Sequence, residues 1–236
     1  DCVDDARACK DKAEQQLMKE ASLINDRCIQ KAFSFIKEGI SEIEVASFID
    51  KQFKCEGADG PCFETIVSFG ANAADPHHSP DKTIVKSGDC VLIDMGCKKD
   101  GYCSDMTRTH FFKSAPQPYT IIHDLVRSAN EAAERIVKPG VRLCDIDKTA
   151  RDIISAAGYG ANFTHRLGHF CGQSDHEQGD VSAINTSVAK EGMIFSIEPG
   201  VYIPGVFGVR IEDLVLVTKD SYELLNHIDK KWHIIN

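Results

Sequence analysis

The 236-residue chain is predicted to adopt an α+β fold, a single domain built from two similar halves. Three observations predict it. Helical and strand-like segments are grouped rather than strictly alternating. The order helix, helix, strand hairpin occurs twice. No low-complexity linker divides the chain, so residues 1–236 are read as one domain.

The elements follow in order. From Asp4 to Lys37 there is no Gly or Pro, and Leu17, Ala21, Ile24, Cys28, Ala32 and Phe35 recur at three- and four-residue steps, the period of one helix face. Gly39 is its stop. Ser41 and Glu44 form a capping-box pattern that opens a second helix through Val45, Phe48, Ile49 and Phe53, ending near Gly57. Residues 58–81 are rich in Gly, Pro, Ala and Asn and read as a loop enclosing a strand, Glu64 to Phe69. Ser87-Gly-Asp89 is a turn, and Cys90 to Met95 is an apolar run suited to a buried strand. The turn Lys98-Lys-Asp-Gly101 leads into a partner strand, Tyr102 to Phe112. Pro116 and Pro118 then break the chain. Helices follow from Tyr119 to Val137 and from Leu143 to Ala157, stopped by Pro139-Gly140 and Gly158. Met193–Val201 and Val209–Val217 read as a second pair of strands.

Composition excludes several function classes. Hydrophobic residues at 42% and charged residues at 27% are ordinary for a globular domain and exclude long disorder. A net charge of −9 argues against a nucleic-acid or anionic-membrane binder, because phosphate contact needs clustered Lys and Arg. No apolar run approaches the roughly 20 residues of a membrane span. No signal peptide is recognisable, and a cytoplasmic location is expected, with the ten cysteines leaving a secreted form open. A chain beginning at Asp1 reads as an excised domain or a processed form. The cysteines show no C-x-x-C spacing, and free, buried thiols are the favoured reading over five disulfides.

Carboxylates in hydrophobic strands point to chemistry. Asp94 ends the apolar run Val91-Leu-Ile-Asp94, where an ionised group is costly unless paired or metal-bound. If the following turn centres on Lys99-Asp100, Asp105 faces Asp94 directly. If it centres on Asp100-Gly101, Asp105 is a diagonal neighbour on the same face. Either way two like charges meet, and a cation between them is the simplest remedy. Glu198 and Glu212 repeat the pattern in later apolar strands, with Arg210 two residues from Glu212 on the same face. Histidines complete the set: His165 and His169 bracket Arg-Leu-Gly, His176 follows seven residues on, and His77-His78 lies in a proline-flanked loop. His110, His123, His227 and His233 read as core or surface residues.

These motifs carry a resemblance. Pro76-His77-x-x-Pro80, Ile93-Asp94-x-Gly96, Tyr102-x-x-Asp105-x-Thr107-Arg108-Thr109, His165-Arg166-x-Gly168-His169, His176-Glu177, Ile197-Glu198-Pro199-Gly200 and Val209-Arg210-Ile211-Glu212-Asp213 resemble, in order, the pita-bread metallopeptidases. That family includes methionine aminopeptidase, prolidase and aminopeptidase P, and the similarity runs from about Leu17 to Thr218. It implies two pseudo-symmetric halves around a curved antiparallel sheet. It implies five metal ligands: Asp94 on one ion, Asp105 and Glu212 bridging, His169 and Glu198 on the other. It implies two divalent ions, Mn²⁺ first, with Co²⁺, Zn²⁺ or Fe²⁺ as the alternatives. Glu198 would move the proton of the attacking water, and His77 and His176 would donate hydrogen bonds to the reacting carbonyl. His165 and Arg210 match the proline-selective branch. The implied substrates are short peptides with a free N-terminus and proline at the second position. The implied partner is a second copy in a homodimer. The N-terminal domain usual in that branch is missing from the sequence.

One stretch departs from the family. Between His169 and His176 the family usually has small or aliphatic residues, whereas this chain has Cys171, Gln173 and Asp175. A different pocket wall is expected, with Cys171 the cysteine placed to matter. Methionine aminopeptidase, a non-peptidase hydrolase or lyase of the same fold, and a metal-free peptide-binding module are the competing readings.

Overall fold

The computed structural model describes residues 2–236. The single first helix expected from residue 4 to 37 is two. Helix α1 (Cys2–Ala8) ends where Cys9 bridges Met193 and the Lys10 amide donates to the Gly192 carbonyl. Helix α2 (Lys12–Phe35) restarts at Asp11, which accepts from the Glu14 amide while the Glu14 carboxylate accepts from the Asp11 amide. That capping box restarts a helix without any Gly or Pro. Helix α3 (Glu42–Cys55) begins at the Ser41–Glu44 capping box, as read from sequence.

The first strands are β1 (Gly60–Pro61), β2 (Ile66–Phe69), β3 (Cys90–Met95), β4 (Cys97–Lys99), β5 (Tyr102–Cys103) and β6 (Met106–Phe112). The expected strand from Tyr102 to Phe112 is therefore interrupted at Ser104-Asp105. The β3–β6 ladder places Cys90 opposite Phe111 and Asp94 opposite Thr107, the diagonal one of the two registers considered. The turn that fixes it centres on Asp100 and Gly101, both at positive φ (48° and 84°), the backbone hand that suits a tight hairpin.

Helices α4 (Gln117–Arg135) and α5 (Leu143–Ala156) follow, with Pro118 inside the first turn of α4, where its missing N–H costs nothing. Next come β7 (Gly168–Phe170) and β8 (Glu177–Val181), neither legible in their short polar sequences. The expected second strand pair is split on both sides, into β9 (Ile194–Ile197) and β10 (Gly200–Ile203), and into β11 (Phe207–Arg210) and β12 (Asp213–Val217). Strands β13 (Tyr222–Leu224) and β14 (Ile234–Ile235) close the chain.

The architecture is the pita-bread fold, and its sheet surface resolves into separately hydrogen-bonded sheets. The larger two run β14-β6-β3-β2 and β13-β12-β9-β7-β8; β10-β11 and β1-β4-β5 are smaller. Pairing is antiparallel throughout except β14 with β6. Helices α2 and α3 pack on Val67, Phe69, Val91, Ile93 and Met95. Helices α4 and α5 pack on Phe195, Ile197, Val209, Ile211 and Val215. Because side chains alternate along β3, Cys90 and Leu92 join the α4–α5 core, and Asp94 shares their face, between the halves.

The cysteine expectation fails at one pair. Cys62 and Cys103 form a disulfide, brought together because β4 lies between β1 and β5. Cys9, Cys28, Cys55, Cys90, Cys97, Cys144 and Cys171 are free. Cys171 does not reach the pocket. It is fully buried among Met18, Ile194, Leu214 and Leu216. No helix among the described residues is long and apolar enough to cross a membrane.

Candidate metal centre

All nine residues singled out from sequence line one cavity of about 560 Å³: His77, Asp94, Asp105, His165, His169, His176, Glu198, Arg210 and Glu212. They come from both halves. Asp94 sits on β3, Asp105 at the break before β6, His169 on β7, Arg210 at the end of β11, and Glu198 and Glu212 at the strand breaks. Backbone packing brings β7 close. A Cβ on Gly168 would lie 1.9 Å from the Ser196 carbonyl oxygen, so only glycine lets His169 approach Glu198 this way.

The donor set has the geometry of a cation site. His169 Nδ1 lies 3.3 Å from the Phe170 carbonyl, which makes it the N–H donor and leaves a lone pair on Nε2. That lone pair faces Asp105 at 3.4 Å, Glu198 at 3.5 Å and Glu212 at 4.0 Å. Donors around one ion at about 2.1 Å sit roughly 3–3.5 Å apart, so these spacings suit an ion at their centre. Asp94 Oδ1 and Asp105 Oδ1 are buried without a hydrogen-bond partner. Burial pushes the Asp105 carboxyl well up, with Glu212, Asp175 and Asp94 adding to it. Burial likewise pushes Glu212 well up, and Glu198 up to about 8 with Asp94 adding and Arg210 opposing. The bare protein cannot keep this many carboxylates ionised together, whereas divalent cations would. The residues present therefore fit the metal pair that the fold implies. Oxygen donors with one imidazole suit Mn²⁺, Co²⁺, Fe²⁺ or Zn²⁺.

Arg210 is the hub of the wall beside these carboxylates. Its guanidinium donates to Asp94 Oδ2 at 2.6 Å, to the Tyr202 hydroxyl at 2.9 Å, to Thr107 Oγ1 at 3.1 Å and to the Pro76 carbonyl at 3.3 Å. Thr107 Oγ1 in turn donates to Glu212 Oε2 at 2.6 Å. The Tyr202 phenol, pushed up to about 12 by burial, keeps its proton and donates to His165 Nε2 at 2.9 Å. His165 Nδ1 donates to the Arg166 carbonyl at 2.7 Å, so the ring is neutral, and burial beside Arg210 lowers it to about 3. Arg210 and His165 are thus one hydrogen-bonded unit joined by a tyrosine that sequence reasoning missed. Tyr202 lies in an apolar strand, where nothing marks its hydroxyl as used.

At the rim, Arg166 donates to His176 Nδ1 at 3.0 Å, which leaves Nε2–H of His176 as a donor, and the ring stacks on His169 at 3.8 Å. Burial, with His169 and Arg166 nearby, lowers His176 to about 4. His77 is exposed. Its loop is anchored by the fully buried Glu42, which accepts from the Phe69 amide, the Asp81 amide, Asn72 Nδ2 and His78 Nε2. His78, adjacent to the expected residue, is therefore a structural tie, and Glu42 had no sequence signal beyond its place in a helix start. Arg108 pairs with Asp213 at 2.7 Å.

The chain matches the sequence profile of metallopeptidase family M24 over residues 16–219. An uncharacterised peptidase of Staphylococcus aureus (strain USA300) is 44% identical over 224 residues, which cover 95% of this chain and 64% of that protein. A second, from Staphylococcus haemolyticus, is 43% identical over 228 residues, covering 97% and 65%. The chain thus spans just under two thirds of the length of these relatives. Among solved structures, the prolidase from Pyrococcus furiosus superposes with a TM-score of 0.95 at 38% identity, covering 97% of this chain and 68% of that one. The Xaa-Pro dipeptidase from Bacillus anthracis superposes at 0.97 with 34% identity, covering 98% and 65%. The X-Pro aminopeptidase from Thermotoga maritima does so at 0.96 with 34% identity, covering 99% and 66%. By sequence and by fold, the chain belongs to metallopeptidase family M24.

Proposed function

We propose that this chain is the catalytic domain of a dinuclear-metal exopeptidase that hydrolyses the bond between an N-terminal residue and a following proline. The observation that carries the reading is the convergence in one cavity of the five donors with Arg210 and His165, which the buried Tyr202 joins from behind. The donors alone suit any metallohydrolase of this fold. The hydrogen-bonded Arg–Tyr–His wall adds a fixed polar surface beside them, and solved prolidases and X-Pro peptidases are similar in sequence and fold.

Asp94, Asp105, His169, Glu198 and Glu212 would hold the two ions, which when bound supply Lewis-acid polarisation and a lowered pKa for water. The remaining work falls to side chains of the chain itself. Glu198, held by Ser196 Oγ at 3.2 Å, takes a proton from water and returns it to the departing amine. His176 lines the cavity with its Nε2–H 3.4 Å from Asp175 Oδ2, and turned toward the substrate that proton supports charge developing on the scissile carbonyl oxygen. His77 at the rim donates to the bound peptide. Arg210 and the neutral His165 line the region beyond the donors and orient a proline ring that brings no N–H of its own. Short peptides with a free N-terminus are the proposed substrates.

Hydrolysis of Ala-Pro, Ala-Pro-Ala and Met-Ala peptides with added Mn²⁺ or Co²⁺ tests the reading. Cleavage of the proline peptides with Met-Ala left intact is expected. Preferential cleavage of Met-Ala would assign the chain to methionine aminopeptidase chemistry instead.

A further inference from the structure

The unusual stretch between His169 and His176 places one of its departures inside the cavity. Asp175 lines it, whereas Cys171 is sealed in the core. The stretch is fixed at several points. The Cys103 amide donates to the Gly172 carbonyl at 2.8 Å, and the Gly172 amide to the Ser174 carbonyl at 3.0 Å. The Gln173 amide donates to Glu177 at 3.1 Å, and the Gln173 side chain to the Tyr102 hydroxyl at 3.2 Å. Glu177 is itself clamped by Lys10 at 2.9 Å and Arg7 at 2.6 Å. A Cβ at position 172 would lie 2.6 Å from that Glu177 carboxylate, so glycine is what lets the chain fold tightly over it. The aim of Asp175 is therefore set by the fold.

It aims at the donors. Asp175 Oδ2 is 3.4 Å from His176 Nε2, and Asp175 Oδ1 is buried with no hydrogen-bond partner. Asp105, His169 and Glu212 offer ligand atoms within 4.8 Å of one another, and Asp175 offers one within the same distance of His169. An aliphatic residue at this position would present no oxygen, whereas the Asp175 carboxylate adds to the charges that push Asp105 up, a crowding that a cation would relieve.

We propose that Asp175 is an additional protein ligand of the ion held by His169, giving this chain a fifth carboxylate donor beside the four carboxylates and one imidazole of its family motifs. The inference rests on the dinuclear reading above. An extra anionic oxygen tightens a hard divalent ion, so the His169-side ion is held more firmly than without it.

Calorimetric titration of Mn²⁺ into the metal-free full chain, with the ions counted by electron paramagnetic resonance, tests this without any turnover. The parent chain is expected to bind two ions. Asp175→Asn, which keeps the shape, and Asp175→Val, which restores an aliphatic residue, are each expected to weaken one of the two ions at least tenfold and leave the other within twofold. Asp175→Glu is expected to recover part of the loss. Circular dichroism of the metal-free variants checks that the fold is retained. A parent binding two ions beside Asn and Val variants that bind both equally well overturns this inference alone. A parent that binds no ion overturns the dinuclear reading and this inference with it.

Discussion

The two halves of the molecule hold the carboxylates proposed to bind metal differently. In the first half, Asp94 lies within a ladder that runs unbroken from Cys90–Phe111 to Met95–Met106, with Asp105 at its end. In the second half, both carboxylates sit where strands stop. Strand β9 ends before Glu198 and β11 before Glu212, and neither residue is in a ladder. Backbone groups at a break must find other partners. The Glu198 amide donates to the Leu167 carbonyl at 2.8 Å, and the Glu212 amide crosses to the Thr107 carbonyl at 3.1 Å. Around this crossing, Arg108 donates to the Glu212 carbonyl at 2.7 Å and Thr109 Oγ1 to the Arg210 carbonyl at 3.0 Å. The broken half thus borrows its rigidity from the side chains of β6. Thr107, Arg108 and Thr109 are the seam between the halves.

The largest expected effect comes from the donor at the end of the ladder. Asp105→Ala should lower metal-dependent peptide hydrolysis by about a thousandfold or more, since it removes a ligand that the dinuclear reading places on both ions. The metal-free variant should melt no lower than the parent, because it loses a crowded carboxylate and not a strut. Hydrolysis assays and thermal melts in chelator check the two parts. Full activity would end the metal assignment for this residue.

The seam comes next. Arg108 is almost fully buried, pairs with Asp213 at 2.7 Å and donates to the Ile228 and Asp229 carbonyls as well as to Glu212. Arg108→Met should cost about 3–5 kcal/mol, the range for removing one member of a buried ion pair. Lys230, 2.7 Å from Asp213, leaves that carboxylate a partner and places the loss toward the lower end. Urea unfolding checks it. A cost under about 1 kcal/mol would mean that the seam is not held from β6.

Two buried histidines make the same region acid-sensitive. His110 and His123 both place a ring nitrogen 3.0 Å from the Thr109 carbonyl. Burial lowers His110 to about 3 and His123 to about 4. The unfolded chain takes up protons below pH 6.5 while the folded chain does not, so stability falls as pH drops from 6.5 toward 4. The loss is on the order of 3 kcal/mol per histidine. His123→Gln should flatten that slope in chelator, measured by urea unfolding between pH 7 and 4.5. An unchanged slope would place the acid sensitivity elsewhere.

This contrast also explains what the sequence could show. The hairpin of β3 and β6 was legible because an apolar run and the turn at residues 98–101 mark it, and Asp94 stood out in it, whereas its register stayed open between two choices that the ladder decides. Glu198 and Glu212 were legible as carboxylates in apolar runs, but the strand breaks at them were not. A break is decided by partners on other strands, here Leu167 and Thr107, which no local pattern encodes. Tyr202 was hidden for the same reason, since its hydroxyl works only because Arg210 and His165 fold against it. The Cys62–Cys103 disulfide depends on β1, β4 and β5 coming together, which spacing alone does not reveal.

Thr107 gives the finest test of the seam. Its hydroxyl accepts from Arg210 Nε and donates to Glu212 Oε2, so it ties the proposed substrate residue to the proposed metal ligand. Thr107→Val keeps shape and β-propensity but removes both bonds, while the backbone crossing to the Glu212 amide stays. Stability should fall by only about 1–2 kcal/mol, the cost of leaving buried polar groups short of a partner. If the two halves are aligned through this hydroxyl, Mn²⁺ affinity and KM for Ala-Pro should both weaken, by a few-fold each. Thr107→Ser should restore both. If the backbone crossing alone aligns them, the valine variant will match the parent in metal affinity and KM despite its lower stability, and the seam reduces to main-chain contacts.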